Sequence, residues 1–185
     1  AVCSAGGGFA YVGAMHDSFP HALTLSRKGY NAFALIYRHD HAYEDLAQAL
    51  CFLQDSAEQL GIDFDRYSLW GGSAGGRLIV PMAHRGGLKA FTGRTDIPQP
   101  AAVIVQYSSY TTASSGDAPA FACCGTADAP SRLHAMKRRI LALKKLGIPA
   151  EFHAYEGLPH GFGLGTGTAA EGWLDEAVRF WEENM

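Results

Sequence analysis

Short apolar runs alternate along this chain with stretches whose apolar residues recur every three or four positions. Residues 1–5 (AVCSA) read as the end of a buried strand, and 18–28 as a helix with Pro20 in its first turn and Gly29 as its stop. "AFALIY" (32–37) is a continuous apolar run of the kind found in a parallel strand covered on both faces. Leu46, Leu50, Leu53, Ala57 and Leu60 then follow at helical spacing up to Gly61. "RYSLW" (66–70), "AAVIVQY" (101–107), "AFACC" (120–124) and "AEFHAY" (150–155) are further strands. A helix opens near Ala74, another carries Leu133, Met136, Ile140 and Leu143 up to Gly147, and a last one carries Trp173, Ala177, Phe180 and Trp181.

This alternation predicts a three-layer α/β/α sandwich with a mostly parallel sheet and right-handed crossovers, in one domain spanning residues 1–185. In such sheets ligands bind beyond the carboxyl ends of the strands. Composition changes the picture little. The 185 residues are 48% hydrophobic and 18% charged, which suits a single folded core. A net charge of −3 and no basic cluster with interleaved aromatics exclude nucleic acid as the expected partner. The one dense cationic group, Lys137, Arg138, Arg139, Lys144 and Lys145, reads as the solvated face of a helix. No apolar run is long enough to span a bilayer, so no membrane association is expected. Cys3, Cys51, Cys123 and Cys124 lack metal-ligand spacing and read as buried thiols, which sets a reducing, cytoplasmic compartment as the expectation. Self-association is left open.

The chemistry concentrates at strand ends. "LWGGSAGGRL" (69–78) places Gly71-Gly72-Ser73-Ala74-Gly75 between a strand and a helix, where G-x-S-x-G has a mechanical meaning. Small flanking residues permit a sharp turn that projects the Ser73 hydroxyl above the sheet. The Ala74 N–H lies at the helix N-terminus, where free amides favour developing negative charge. A second glycine run, "SAGGGFAYVG" (4–13), follows the first strand, "CCGTADAP" (123–130) follows the strand ending at Cys124, and "GLPHGFG" (157–163) follows the last strand.

Together these segments resemble the α/β-hydrolase family, in particular small esterases of the acetyl-xylan-esterase and carboxylesterase type, over almost the whole chain. The resemblance implies a Ser-His-Asp triad of Ser73, His160 and Asp128, with Gly7, Gly8 and Ala74 as the oxyanion hole. Losing one such donor typically costs about 3–4 kcal/mol of transition-state stabilisation. Ala5 stands where the related esterases carry His or Pro, which implies a differently held loop. The order Ser, Asp, His is the one expected of this fold. Asp117 competes with Asp128 but precedes its strand, and should lie at the opposite edge of the sheet. The family's fold also has two strands ahead of the glycine loop that this sequence does not carry, which leaves an exposed sheet edge as an expectation.

The activity implied is hydrolysis of carboxylic esters, with short acyl groups such as acetyl on carbohydrate as the expected small-molecule substrates. It needs no metal or organic cofactor. No insertion large enough for a cap stands between the strands. Phe9, Tyr11 and Tyr107 are candidates to line the substrate pocket, and Arg38 is a candidate for a buried ion pair. A serine peptidase of the prolyl-oligopeptidase type and an inactive hydrolase-fold binding module are the alternatives.

Overall fold

The computed structural model describes residues 1–185. Six strands form one sheet: β1 (Val2–Ser4), β2 (Phe33–Leu35), β3 (Ser68–Gly72), β4 (Ala102–Gln106), β5 (Ala120–Gly125) and β6 (Ala150–Tyr155). Their order is β2-β1-β3-β4-β5-β6, and every pairing is parallel. Seven helices connect or flank them: α1 (Phe19–Arg27), α2 (Ala42–Asp55), α3 (Ala57–Leu60), α4 (Ala74–Met82), α5 (Arg85–Thr92), α6 (Pro130–Lys145) and α7 (Trp173–Glu182).

The continuous apolar runs are explained by two separate cores. On one face Leu69, Val103, Val105, Ala120 and Ala122 pack with Leu46, Leu50, Leu78, Ile140 and Leu143 from α2, α4 and α6. On the other, Trp70, Ile104, Phe121 and Cys123 pack with Leu25, Trp173, Ala177 and Phe180 from α1 and α7. Successive strand residues point to opposite faces, so both members of each neighbouring pair must be apolar when helices cover both sides.

Several expectations are corrected. The run 32–37 contributes only a three-residue strand at the sheet edge, half-buried rather than covered on both faces, and Ile36 beyond it is 58% exposed. Arg139 is not on the solvated face of α6: its side chain is buried and pairs with Asp117 (Nη2–Oδ1 3.2 Å) over the Tyr110 ring. Arg38 pairs with Asp45 (2.6 Å), but on the surface, its side chain 63% exposed. Cys51 is half-buried, whereas Cys3, Cys123 and Cys124 are buried, and all four are free.

Helix α5 was not among the expected elements. It forms because the His84 ring caps it, Nδ1 accepting the Gly86 and Gly87 N–H groups at 3.0 and 3.2 Å. These are the donors a helix start leaves unpaired.

Candidate active site

The turn from β3 into α4 explains its own glycines. A Cβ at Gly71 would sit 2.5 Å from the Gly75 carbonyl carbon, and one at Gly75 would sit 2.1 Å from the Ser4 oxygen. Strand, helix and the neighbouring β1 approach closely only without side chains there. Ser73 between them has φ 52° and ψ −113°, a conformation that side-chain-bearing residues avoid. It is held by its N–H donating to Gln106 O (2.9 Å) and by the Ser108 hydroxyl donating to its own carbonyl (2.9 Å).

His160 lies in the loop after β6. That loop is tied down where the Ala127 N–H donates to Leu158 O (3.0 Å) and the Gly157 N–H donates to Thr126 Oγ1 (2.8 Å). Its Nε2 is 3.0 Å from Ser73 Oγ and its Nδ1 is 2.8 Å from Asp128 Oδ2. With the ring proton on Nδ1 donated to the carboxylate, Nε2 is left to accept the serine hydroxyl. The Tyr107 ring packs edge-on against the imidazole, with centroids 5.0 Å apart.

The Asp128 side chain is 2% exposed and follows β5 at the start of α6. Burial works to raise its pKa, but hydrogen bonds from His160 and the Ala129 N–H, with the charge of Arg132, outweigh it and leave the carboxyl below its usual range. Oδ1 takes the Ala129 N–H and the Arg132 guanidinium, so the carboxylate stays ionised while Oδ2 faces the imidazole. Asp117, the competing acid, pairs with Arg139 and accepts the Ser114 N–H, away from this group.

The glycine loop 6–8 forms the other wall. Gly7 and Gly8 face the cleft beside Ser73 and His160, and neither N–H donates within the protein. Ala74 is the first residue of α4, where an amide has no partner inside its helix. The loop is held from two sides. The buried Tyr37 hydroxyl donates to Ala5 O (2.7 Å), and the Gly6 N–H donates to Asp17 Oδ2 (2.8 Å).

Asp17 is the residue that sequence reasoning missed. Its Oδ1 accepts the Tyr107 hydroxyl (2.7 Å), so one carboxylate joins the glycine loop to the tyrosine packed on His160. In sequence it sits in "MHDSFP", where an acid just before a helix reads as a cap. Behind it a small polar hollow holds Ser4, His21 and Gln106. Burial pushes the His21 pKa down to about 4 against the pull of the Asp17 charge, so this ring is neutral.

Phe9 and Tyr11 line the cleft on opposite sides of Ser73, and Tyr107 lines both. No three His, Cys, Asp or Glu side chains converge where a metal ion would be held, and no helix is long and apolar enough to cross a membrane. Another hollow of about 240 Å³, near Ala1, Tyr30, Asp63 and Trp181, opens at the amino ends of β1 and β2, away from this chemistry.

A parallel sheet between two helical layers, with a serine on a strand-to-helix turn, defines an α/β-hydrolase fold. The BD-FAE family matches residues 2–128, well over half of the chain, and the protein belongs to that family. Solved structures agree on the fold. The acetyl ester-xyloside bifunctional hydrolase of Caldicellulosiruptor lactoaceticus superimposes with a TM-score of 0.84 at 23% identity, covering 98% of this chain and 81% of that one. The thermophilic esterase Est2 of Thermogutta terrifontis gives 0.82 at 24% identity, covering 98% and 82%. The carboxylesterase Cest-2923 of Lactobacillus plantarum gives 0.82 at 20% identity, covering 98% and 84%. No curated protein matches the chain in sequence.

Proposed function

We propose that this protein is a serine hydrolase of carboxylic esters, acting through a Ser73-His160-Asp128 triad. The observation that carries the reading is the row from Ser73 Oγ to His160 Nε2 (3.0 Å) and from Nδ1 to Asp128 Oδ2 (2.8 Å), at the wall of an open cleft. As Ser73 attacks the ester carbonyl, His160 takes its proton and Asp128 stabilises the resulting imidazolium. The oxyanion is received by Ala74 and by Gly7 and Gly8, whose N–H groups have no other protein partner. His160 then gives its proton to the departing alcohol. Water activated by the same ring releases the acyl group.

Short acyl esters, such as acetyl groups on carbohydrate, are the proposed substrates. His160 stays 38% exposed, which suits a site open to a bulky alcohol part. Esterases among the structural neighbours, one of them described as an acetyl ester-xyloside hydrolase, support this choice. The test is hydrolysis of p-nitrophenyl esters of increasing chain length and of acetylated sugars, with Ser73→Ala as control. A serine-directed phosphonate should label the protein and fail to label Ser73→Ala. No turnover of any ester together with no labelling would end the reading.

A further inference from the structure

The cleft at Ser73 has two lobes of different chemistry. The wider one, about 460 Å³, is walled by the glycine loop and contains the Asp17 carboxylate. The narrower one, about 200 Å³, continues past Ala74 between α4 and the start of α6. Besides Ser73 and Tyr107 it is lined by two arginines, Arg77 and Arg132, and two further serines, Ser108 and Ser109, with no acidic residue in its wall.

Arg77 is exposed and forms no ion pair. Its position is nevertheless defined, with the guanidinium carbon 6.0 Å from the centroid of the Phe9 ring. That ring sits between Tyr37 and Tyr43, at centroid distances of 6.2 and 6.3 Å. Phe9 has φ 60°, and the other non-glycine residues with positive φ, Ser73 and Tyr107, line the same lobe. The chain thus accepts unfavourable backbone at three positions around one small space. Such strain persists where surrounding structure holds it, and it marks functional ground. Arg132 spends one of its five N–H donors on Asp128.

We propose that the narrow lobe is an anion subsite and that the preferred substrates are esters carrying a carboxylate, held by Arg77 and Arg132 while Ser73 attacks. This rests on the hydrolase reading above and adds the charge of the substrate to it. The carboxylate can belong to the acyl part or to the alcohol part, as in a half-ester of a dicarboxylic acid or an ester of an acidic sugar. Guanidinium recognises either by the same charge-assisted hydrogen bonds.

The test compares kcat/KM in matched pairs. p-Nitrophenyl hemisuccinate against p-nitrophenyl butyrate reads the acyl side, and 4-carboxyphenyl acetate against phenyl acetate reads the alcohol side. The anionic-to-neutral ratio should fall about tenfold in Arg77→Met in one of the two pairs, as loss of a charge-assisted contact implies. Arg77→Lys should keep most of the ratio, Arg77→Glu should push it lower still, and added salt should reduce it in the unaltered protein. An unchanged ratio in both pairs for Arg77→Met overturns the subsite and leaves the hydrolase reading standing. If no ester is cleaved at all, calorimetry on Ser73→Ala with monomethyl succinate and methyl butyrate still decides. Tighter binding of the anion that disappears on adding Arg77→Met supports the subsite, and equal binding of the two esters overturns it.

Discussion

Within the two cores, strands supply apolar residues to both faces and helices to one, and Leu25, Leu69, Ile104 and Phe121 are fully buried. A few residues further along the same strands, at their carboxyl ends, the rules change. Phe9, Ser73 and Tyr107, the three non-glycine residues with left-handed backbone, all lie on this rim, as do the carboxylates of Asp17 and Asp128. The rim is held by cross-links: the Ser73 N–H to Gln106 O, the Tyr107 N–H to Cys123 O, and the Tyr107 hydroxyl to Asp17. Hydrophobic burial in the cores offsets strain that the rim could not sustain alone. The division teaches that stability and chemistry are separable here, and substitutions on each side should show it.

The widest separation is expected from Ser73→Ala. Ester turnover should fall about 10⁶-fold, the size of effect known for loss of a nucleophilic serine, while the urea midpoint stays where it was. A matching loss of stability would break the comparison. Phe121→Ala is its mirror image. The side chain is fully buried, between His153 (4.5 Å between centroids) and Phe180 (6.0 Å). Truncation should cost about 3–5 kcal/mol in denaturant unfolding, with near-normal kcat in the fraction that remains folded.

His21 links the two regions through pH. Its folded pKa of about 4 lies below the ordinary 6.5, so the unfolded chain binds the proton first. The stabilising contribution is complete above pH 6.5 and is lost as pH falls toward 4, a loss on the order of 3 kcal/mol for a shift of this size. His21→Met should flatten that acid limb in urea titrations at successive pH values. The smallest effect is expected at Asp17. Asp17→Asn should lower kcat roughly tenfold, about 1.4 kcal/mol, with little change in KM, because the glycine loop and Tyr107 lose their shared charged acceptor. Tyr107→Phe should do much the same, and the double substitution should fall short of the sum of the two. Full additivity in that cycle would mean that Asp17 does not act through Tyr107.

Much of the fold was legible because periodicity reports local surroundings. β3, β4, β5 and β6 lie where apolar runs place them, and α6 and α7 where the three-to-four spacing does. α5 was not legible, because its start depends on one imidazole cap rather than on an apolar stripe. Arg139 misled for the complementary reason: charge signals solvent until a partner such as Asp117, 22 positions away, permits burial. Ser73, Asp128 and His160 were legible as residue types at strand ends, and the structure places the His160 ring within hydrogen-bond reach of each of the other two side chains. Asp17 was not, because its partners are a backbone amide and a hydroxyl, which leave no mark on composition.

What the chain alone determined is the doubly covered parallel sheet and a turn so tight that glycine stands two positions to either side of its serine, since both follow from the shapes of neighbouring residues. Tertiary structure decided the distances: Ser73 meets His160 across 87 positions and Tyr107 meets Asp17 across 90. It also decided that two arginines, and no carboxylate, would share the lobe beside that serine. Contacts between residues so far apart are set by how whole layers pack, and a pattern of period two or three and a half carries no information about that.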